Sequence, residues 1–313
     1  LKQERAVEKL WGELWRNYDL LFIRHLDAPL AAIQMFATRD YFGGKVIGDI
    51  DDNYDAVMPD NTAWEFYYEG SPKRDITHFW LRGCNAVTVT RKALWEVTLK
   101  YNPKVYICPN FFDDADWPYF HRKRKREARV SAVRIGYAGG SSHKKDLETC
   151  EDAVVEVLRK YPKAKFVAVG PQKEIFAGYP EGRLEVHRGT LNFEDYTDYL
   201  PRVGLDIGIA PLAKNEFNRA KSACKFYEYT AAGAVGVYQG NAWSPYRGVV
   251  EHGKTGFLAT SRHEWVKFIS YLIEHPRERA GMLEEAKKAL MGKFHIRNNI
   301  HLWRRVLEDV LNG

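Results

Sequence analysis

Two lysines and one glutamate carry the pattern most suggestive of chemistry. Lys221, Lys225 and Glu228 lie within FNRAKSACKFYEYTAAG, residues 217–233. Read as one helix over 219–232, this stretch places the lysines one turn apart and Glu228 three residues further on, so all three line one side. Cations neutralise phosphate, and a carboxylate accepts hydrogen bonds from a diol. The set fits an anionic ligand that also presents hydroxyls, such as a ribose diphosphate. A plain Lys–Glu surface pair would be worth only ~0.2–0.5 kcal/mol. The AAG ending and the apolar AVGVYQ (234–239) that follows argue for a packed helix instead. The apolar LDIGIAPL (205–212) precedes it. The helix would therefore begin beyond the carboxyl end of a strand, where open α/β sheets bind ligands and free N–H groups face anions.

A second candidate region is RIGYAGG (134–140), an apolar run entering a glycine turn. Gly139 and Gly140 would let the backbone turn sharply and approach a ligand closely. His143, Lys144 and Lys145 follow near the next helix start, where cations oppose the helix dipole unless an anion sits between them. The pattern is neither GxGxxG nor GxxxxGK[ST]. A third region is DIDD, with Asp49, Asp51 and Asp52 at the end of KVIGDID (45–51). Clustered carboxylates need water, a cation or a substrate hydroxyl. Asp51 and Asp52 could orient an acceptor hydroxyl or take its proton, cap the next segment, or bind Mg²⁺. His187, His252 and His263 have no metal-ligand spacing, and neither GxSxG nor HExxH occurs.

The elements that must position these residues alternate. Short apolar strands are expected at 21–25, 45–51, 86–90 and 105–109, with helices at 29–40, 75–84 and 91–100. Residues 1–19 read as an amphipathic helix. The stretch 111–131 mixes acids, a proline and bases without periodicity and reads as an interdomain connection. Beyond it, strands are expected at 134–140, 165–170, 184–189, 205–212, 234–239 and 255–259. Helices are expected at 145–160, 195–201, 219–232, 262–274 and 277–290, followed by an amphipathic helix over 296–311. The class is α/β.

The 313 residues suffice for two domains with real cores. The four cysteines, Cys84, Cys108, Cys150 and Cys224, form no CxxC pair, which fits a reduced, cytoplasmic protein. No apolar run is long enough to span a membrane. Much of the net charge of +6 sits in HRKRKREAR, residues 121–129. This run reads as a solvated turn or as a contact for nucleic acid or an anionic membrane surface.

The second half resembles the donor domain of GT-B glycosyltransferases, in particular the retaining family 4 group. The resemblance rests on IGYAGG with His143 and Asp146, on FNRAKSACKFYEYTAAG, and on PYRGVVEHGKTGFL (245–258). In the first half, VIGDIDDN, NAVTVTRKALWEV and VYICPN resemble the acceptor domain of the same enzymes. The implied fold is two Rossmann-like parallel-sheet domains facing a cleft, the first one short. The implied boundaries are 1–112 for an incomplete acceptor-side domain, 113–131 for the linker, 132–290 for the donor domain, and 291–313 for a helix crossing back. Early strands would lie upstream or come from a partner chain or a second copy.

The resemblance implies a UDP- or GDP-sugar donor, a hydroxyl acceptor, retention, and no required metal or tightly bound cofactor. Gly139 and Gly140 would lie against the donor phosphates, with His143, Lys144, Lys145, Lys221 and Lys225 as the cationic set. The backbone near Ala220–Ser222 would approach the diphosphate, and Glu228 would hold the ribose. The sequence departs from the family pattern at two of these positions. Ala220 stands where the first of two glutamates is usual, and His143 stands where a lysine often follows the turn. Asp51 or Asp52 occupies a position where many members use histidine. The acceptor could be a glycan, a lipid-linked glycan or a nucleic-acid base, with the protein cytoplasmic or peripheral at the inner membrane surface. A non-catalytic nucleotide- or glycan-binding or assembly module is the alternative outside enzymology.

Overall fold

The structure is a computed structural model that describes residues 2–122, 133–170, 173–189 and 192–313. The described residues divide into two compact units. The first gathers the chain up to Asn110 with Asn215–Ser222 and Asn299–Gly313; the second gathers Phe111–Lys214 and Ala223–Asn298.

The first unit opens with α1 (Lys2–Asn17) and continues through β1 (Leu20–Arg24), α2 (Pro29–Phe42) and β2 (Lys45–Ile50). It goes on with α3 (Trp64–Tyr67), α4 (Pro72–Gly83), β3 (Ala86–Val89), α5 (Lys92–Thr98) and β4 (Val105–Ile107). Local sequence sets these boundaries. Pro72 stands at the first turn of α4, and Ser71 caps it by accepting from Arg74 N. The four strands run parallel in the order β1-β2-β3-β4. β3 is buried along its whole length, whereas the edge strands β1 and β4 keep partial exposure. Trp15, Met35, Phe36, Trp80 and Leu94 share one core cluster.

The second unit continues with β5 (Arg134–Ala138), α6 (Lys144–Glu148), α7 (Glu151–Lys160), β6 (Lys165–Val169), β7 (Leu184–His187), α8 (Phe193–Val203) and β8 (Ile207–Ala210). The short helix α9 (Glu216–Ala220) returns to the first unit. α10 (Cys224–Ala231), β9 (Val235–Gln239), β10 (Phe257–Ala259), α11 (Arg262–Glu274) and α12 (Pro276–Gly292) belong to the second. α13 (Ile296–Leu311) ends the chain. Its Val306 and Val310 pack with Ile47, Ala86 and Cys108 in the first unit. The second sheet is parallel throughout, in the order β10-β9-β8-β5-β6-β7.

Two parallel sheets wrapped in helices, the first of four strands and the second of six, match the expected fold class. Two expected helices are corrected. The helix at 145–160 is interrupted between α6 and α7. The helix at 219–232 is broken into α9 and α10, because Lys221 is extended, with φ −62° and ψ 153°. Among the described residues, no helix is long and apolar enough to cross a membrane.

Candidate functional site

In the second sheet, β6 and β7 lie on one side of β5, and β8, β9 and β10 lie on the other. Strand order therefore reverses between β5 and β8. Loops leaving the carboxyl ends of these two strands diverge there and open a crevice suited to ligands. Gly139 and Gly140 follow β5 at this point. A Cβ on Gly139 would lie 2.6 Å from the Tyr137 hydroxyl, and one on Gly170 (φ 101°) would lie 2.0 Å from the Gly139 carbonyl oxygen. Packing thus explains glycine at 139 and 170. It does not explain Gly140, whose added Cβ would meet only Ser142 Oγ, at 3.7 Å. Its φ of −69° and ψ of 168° are open to any residue.

Asp146 holds this loop. The residue is 4% exposed. Oδ1 accepts from Ala213 N at 2.8 Å, on the segment that leaves β8, and Oδ2 lies 2.7 Å from His143 Nδ1. One buried carboxylate thereby ties both sides of the crevice and orients the His143 ring. Lys144 and Lys145 are exposed and sit beside Glu148, at 4.0 and 3.2 Å.

Glu228, on α10, is 18% exposed. Its Oε2 accepts from Lys225 Nζ at 3.0 Å and from the Tyr196 hydroxyl at 2.7 Å. Burial, and then Glu228 itself, push the Tyr196 phenol well above its ordinary range, so the hydroxyl stays a donor. Lys225 Nζ lies 5.9 Å from the centroid of the Tyr137 ring, which also packs against His143 at 6.0 Å between centroids. Tyr137 therefore links His143 to the Lys225–Glu228 pair. Oε2 is committed to two donors, while Oε1 has no hydrogen-bond partner among the described residues. Sequence reasoning missed Tyr196, whose only signal is its place in the first turn of an amphipathic helix.

Lys221 does not share a face with Lys225 and Glu228, contrary to the one-helix expectation. Its extended backbone is held by Arg91 Nη1, which donates to Lys221 O at 3.1 Å. Its Nζ lies 3.2 Å from Asp52 Oδ1 and 4.4 Å from the centroid of the Phe217 ring. Ser222 Oγ accepts from Asn110 Nδ2 at 3.1 Å. Lys221 and Ser222 therefore join the DIDD end of β2, all within the first unit. Arg24 holds Asp51 Oδ2 at 2.6 Å, and the Thr88 hydroxyl donates to Asp49 Oδ1 at 2.6 Å. Burial raises the Asp49 carboxyl above its usual range.

Two further groups stand at this sheet edge. His25 follows β1 with φ 39°, the one non-glycine residue with positive φ among the described residues. Such backbone costs about 1–3 kcal/mol and clusters at functional sites. The His25 ring stacks on Tyr54, with centroids 4.1 Å apart and planes 13° apart, and its Nε2 lies 3.1 Å from Thr77 Oγ1. Burial lowers its pKa despite Asp27 and Asp51 nearby, which keeps the ring neutral at neutral pH. Thr90 lies one residue past Val89, which pairs with Ile50. It is 5% exposed, and its hydroxyl has no hydrogen-bond partner among the described residues. The sequence signals for both were only their positions at the ends of apolar strands.

Among the described residues, Asp113, Asp114 and His295 bring possible metal-ligating atoms within 4.8 Å of one another. Hydrogen bonding accounts for this group: Asp114 bridges His295 Nε2 at 2.9 Å and His121 Nε2 at 2.6 Å. Those two histidines hold its carboxyl down at about 2. Of the basic run at 121–129, only His121 and Arg122 fall within the described residues.

A six-stranded and a four-stranded parallel sheet in one chain, each covered by helices, define the GT-B class of fold. The chain belongs to the glycosyl transferase-like family, whose model matches residues 150–309. Solved structures of similar fold include Anabaena HepE in complex with UDP and glucose, with TM-score 0.68 and 16% identity over 99% of this chain and 82% of that one. A mutant of S. aureus TarM, in complex with Fondaparinux, alpha-GlcNAc-glycerol and UDP, gives 0.70 and 14% over 98% of this chain. The pneumococcal O-GlcNAc transferase GtfA, in complex with UDP and GlcNAc, gives 0.65 and 14% over 99% of this chain. The chain spans 58% of the length of the TarM chain and 61% of that of GtfA. No curated protein matches it in sequence.

Proposed function

We propose that the chain transfers a sugar from a nucleotide-sugar, a UDP- or GDP-sugar, to an acceptor hydroxyl, with retention as in the family 4 group it resembles. The observation that carries this reading is Glu228: a largely buried carboxylate with one oxygen anchored by Lys225 and Tyr196 and the other open to accept from a ribose diol. Lys225 supplies the cationic side for the diphosphate, with the His143 ring packed on the same Tyr137, and the unconstrained Gly140 lets it approach the backbone. In transfer, the bond from the anomeric carbon to the diphosphate oxygen breaks, and the nucleotide leaves with the electron pair. The acceptor oxygen bonds to that carbon and gives up its proton. Asp51 and Asp52 orient this hydroxyl, with Lys221 and Ser222 beside them, and neutral His25 takes the proton. Stabilisation of the leaving group by fixed cations and N–H groups requires no metal. UDP in the HepE and GtfA structures favours a UDP-sugar as the donor to try first. No membrane-crossing helix occurs among the described residues, which fits action in the cytoplasm or at the face of a membrane.

The test is calorimetry and nucleotide release with UDP-, GDP-, ADP- and dTDP-sugars, using Glu228→Ala as the control. Micromolar binding of one donor, lost in the variant, is expected. Absence of binding to all four would overturn the reading.

A further inference from the structure

From Val46 to Pro72 the sequence holds seven carboxylates and neither a lysine nor an arginine, in a chain whose net charge is +6. The same stretch holds five aromatic residues: Tyr54, Trp64, Phe66, Tyr67 and Tyr68. In the structure they divide into two groups. Tyr67 is buried against Val57 and Phe217, with Tyr54 and Trp64 packed on that cluster. Phe66 and Tyr68 are each 42% exposed. The Trp64 and Tyr68 rings lie 6.4 Å apart, and Met58 adds a further exposed apolar side chain. An apolar shelf thus runs from α3 to Phe217, the ring beneath Lys221, and Lys221 in turn meets Asp52. It is continuous with the acceptor-side residues.

The charges around this shelf are one-sided. Every nearby cation is matched: Lys73, over the Phe66 ring, by Asp27; Arg74 by Asp55; Arg24 by Asp51; Lys221 by Asp52. Asp60, Glu65 and Glu69 are exposed and have no ion-pair partner among the described residues. Exposed aromatic faces beside acceptor carboxylates suit the apolar faces and hydroxyl edges of sugar rings. The same carboxylates repel a phosphate-rich or sulfated chain.

Resting on the transferase reading, we infer that the acceptor is an uncharged carbohydrate, docked on the Trp64–Tyr68 shelf, and not a nucleic acid or another polyanion. The basic composition of the whole chain points the opposite way, but the acids are concentrated where the acceptor must lie.

The experiment uses the full chain. Donor affinity is measured first by calorimetry. Uncharged gluco-, manno- and galacto-oligosaccharides, heparin and single-stranded DNA are then compared for binding by affinity electrophoresis and, for the oligosaccharides, as acceptors of labelled sugar. At least one uncharged oligosaccharide is expected to bind and accept. Tyr68→Ala should weaken that acceptor about tenfold, the scale of removing one aromatic contact, with donor affinity unchanged. Glu65→Lys with Glu69→Lys should raise heparin affinity above the parent's. The inference is overturned if the donor binds but no uncharged oligosaccharide does. It is also overturned if acceptor affinity is indifferent to Tyr68→Ala, or if the parent prefers DNA or heparin through this shelf. Loss of donor binding in the parent chain would instead overturn the transferase reading beneath it.

Discussion

Glu228→Gln tests the donor site most directly. The substitution keeps side-chain volume and replaces a charged acceptor by a neutral amide. In the parent, Oε2 is occupied by Lys225 at 3.0 Å and Tyr196 at 2.7 Å, so only Oε1 is open to a ligand. Hydrogen bonds to a charged group contribute about 1.5–3 kcal/mol each. Loss of one such bond to the ribose should weaken UDP or GDP binding about 10- to 150-fold. Some weakening would also follow if Lys225, released from its partner, merely moved. The comparison ligand separates these causes. Calorimetry with UDP and with its 2′,3′-dideoxy analogue should show parent discrimination of that size and almost none in Glu228→Gln, a cycle that isolates the contact. Equal loss for both ligands would refute the ribose assignment, and loss confined to the diol-bearing ligand would support it.

Gly140→Ala should raise the melting temperature slightly, by about 0.4–1 kcal/mol of chain entropy, because its backbone is ordinary and the added methyl is uncrowded. Donor affinity should nevertheless fall at least tenfold if phosphate approaches the backbone there; calorimetry beside a thermal melt checks both. Asp146→Ala strands Ala213 N and His143 together and should cost about 2–4 kcal/mol, read from urea unfolding. His25→Ala should abolish transfer while leaving donor binding intact, which paired activity and calorimetry will show. Burial pushes the Asp55 carboxyl up, but hydrogen bonds from His78 and Tyr101, with Arg74 nearby, outweigh it and hold the group at about 2. Its folded pKa is thus depressed below the unfolded value, so its roughly 2–3 kcal/mol is complete above about pH 4 and is lost as pH falls toward 2. Asp55→Asn should remove that part of the acid-unfolding curve.

Strand positions were legible because buried parallel strands are short apolar runs between helices; 45–51 and 86–90 differ from β2 and β3 by a residue at the end. Glu228 with Lys225 was equally legible, since i,i+3 spacing survives inside α10. The break at Lys221 was not. Nothing in AKSACK stops a helix locally; the extended residue is fixed by Arg91, which is distant in sequence. His25, Tyr196 and Thr90 were invisible for the same reason. Their significance comes from Tyr54, Glu228 and the register of β2 with β3, and a linear pattern holds none of these. The acidic and aromatic stretch 46–72 was in plain view but overshadowed by the denser basic run at 121–129.

The first unit is assembled from three separated pieces of chain, the last beginning at Asn299. On a ribosome, the four-stranded sheet must wait for residues made long after its own strands. Until Val306 and Val310 emerge, Ile47, Ala86 and Cys108 lack the side chains that cover them. The second unit holds no residue after Asn298 and does not depend on those that follow. Loss of residues 299–313 would uncover the sheet of the first unit, although its own strands were made long before them.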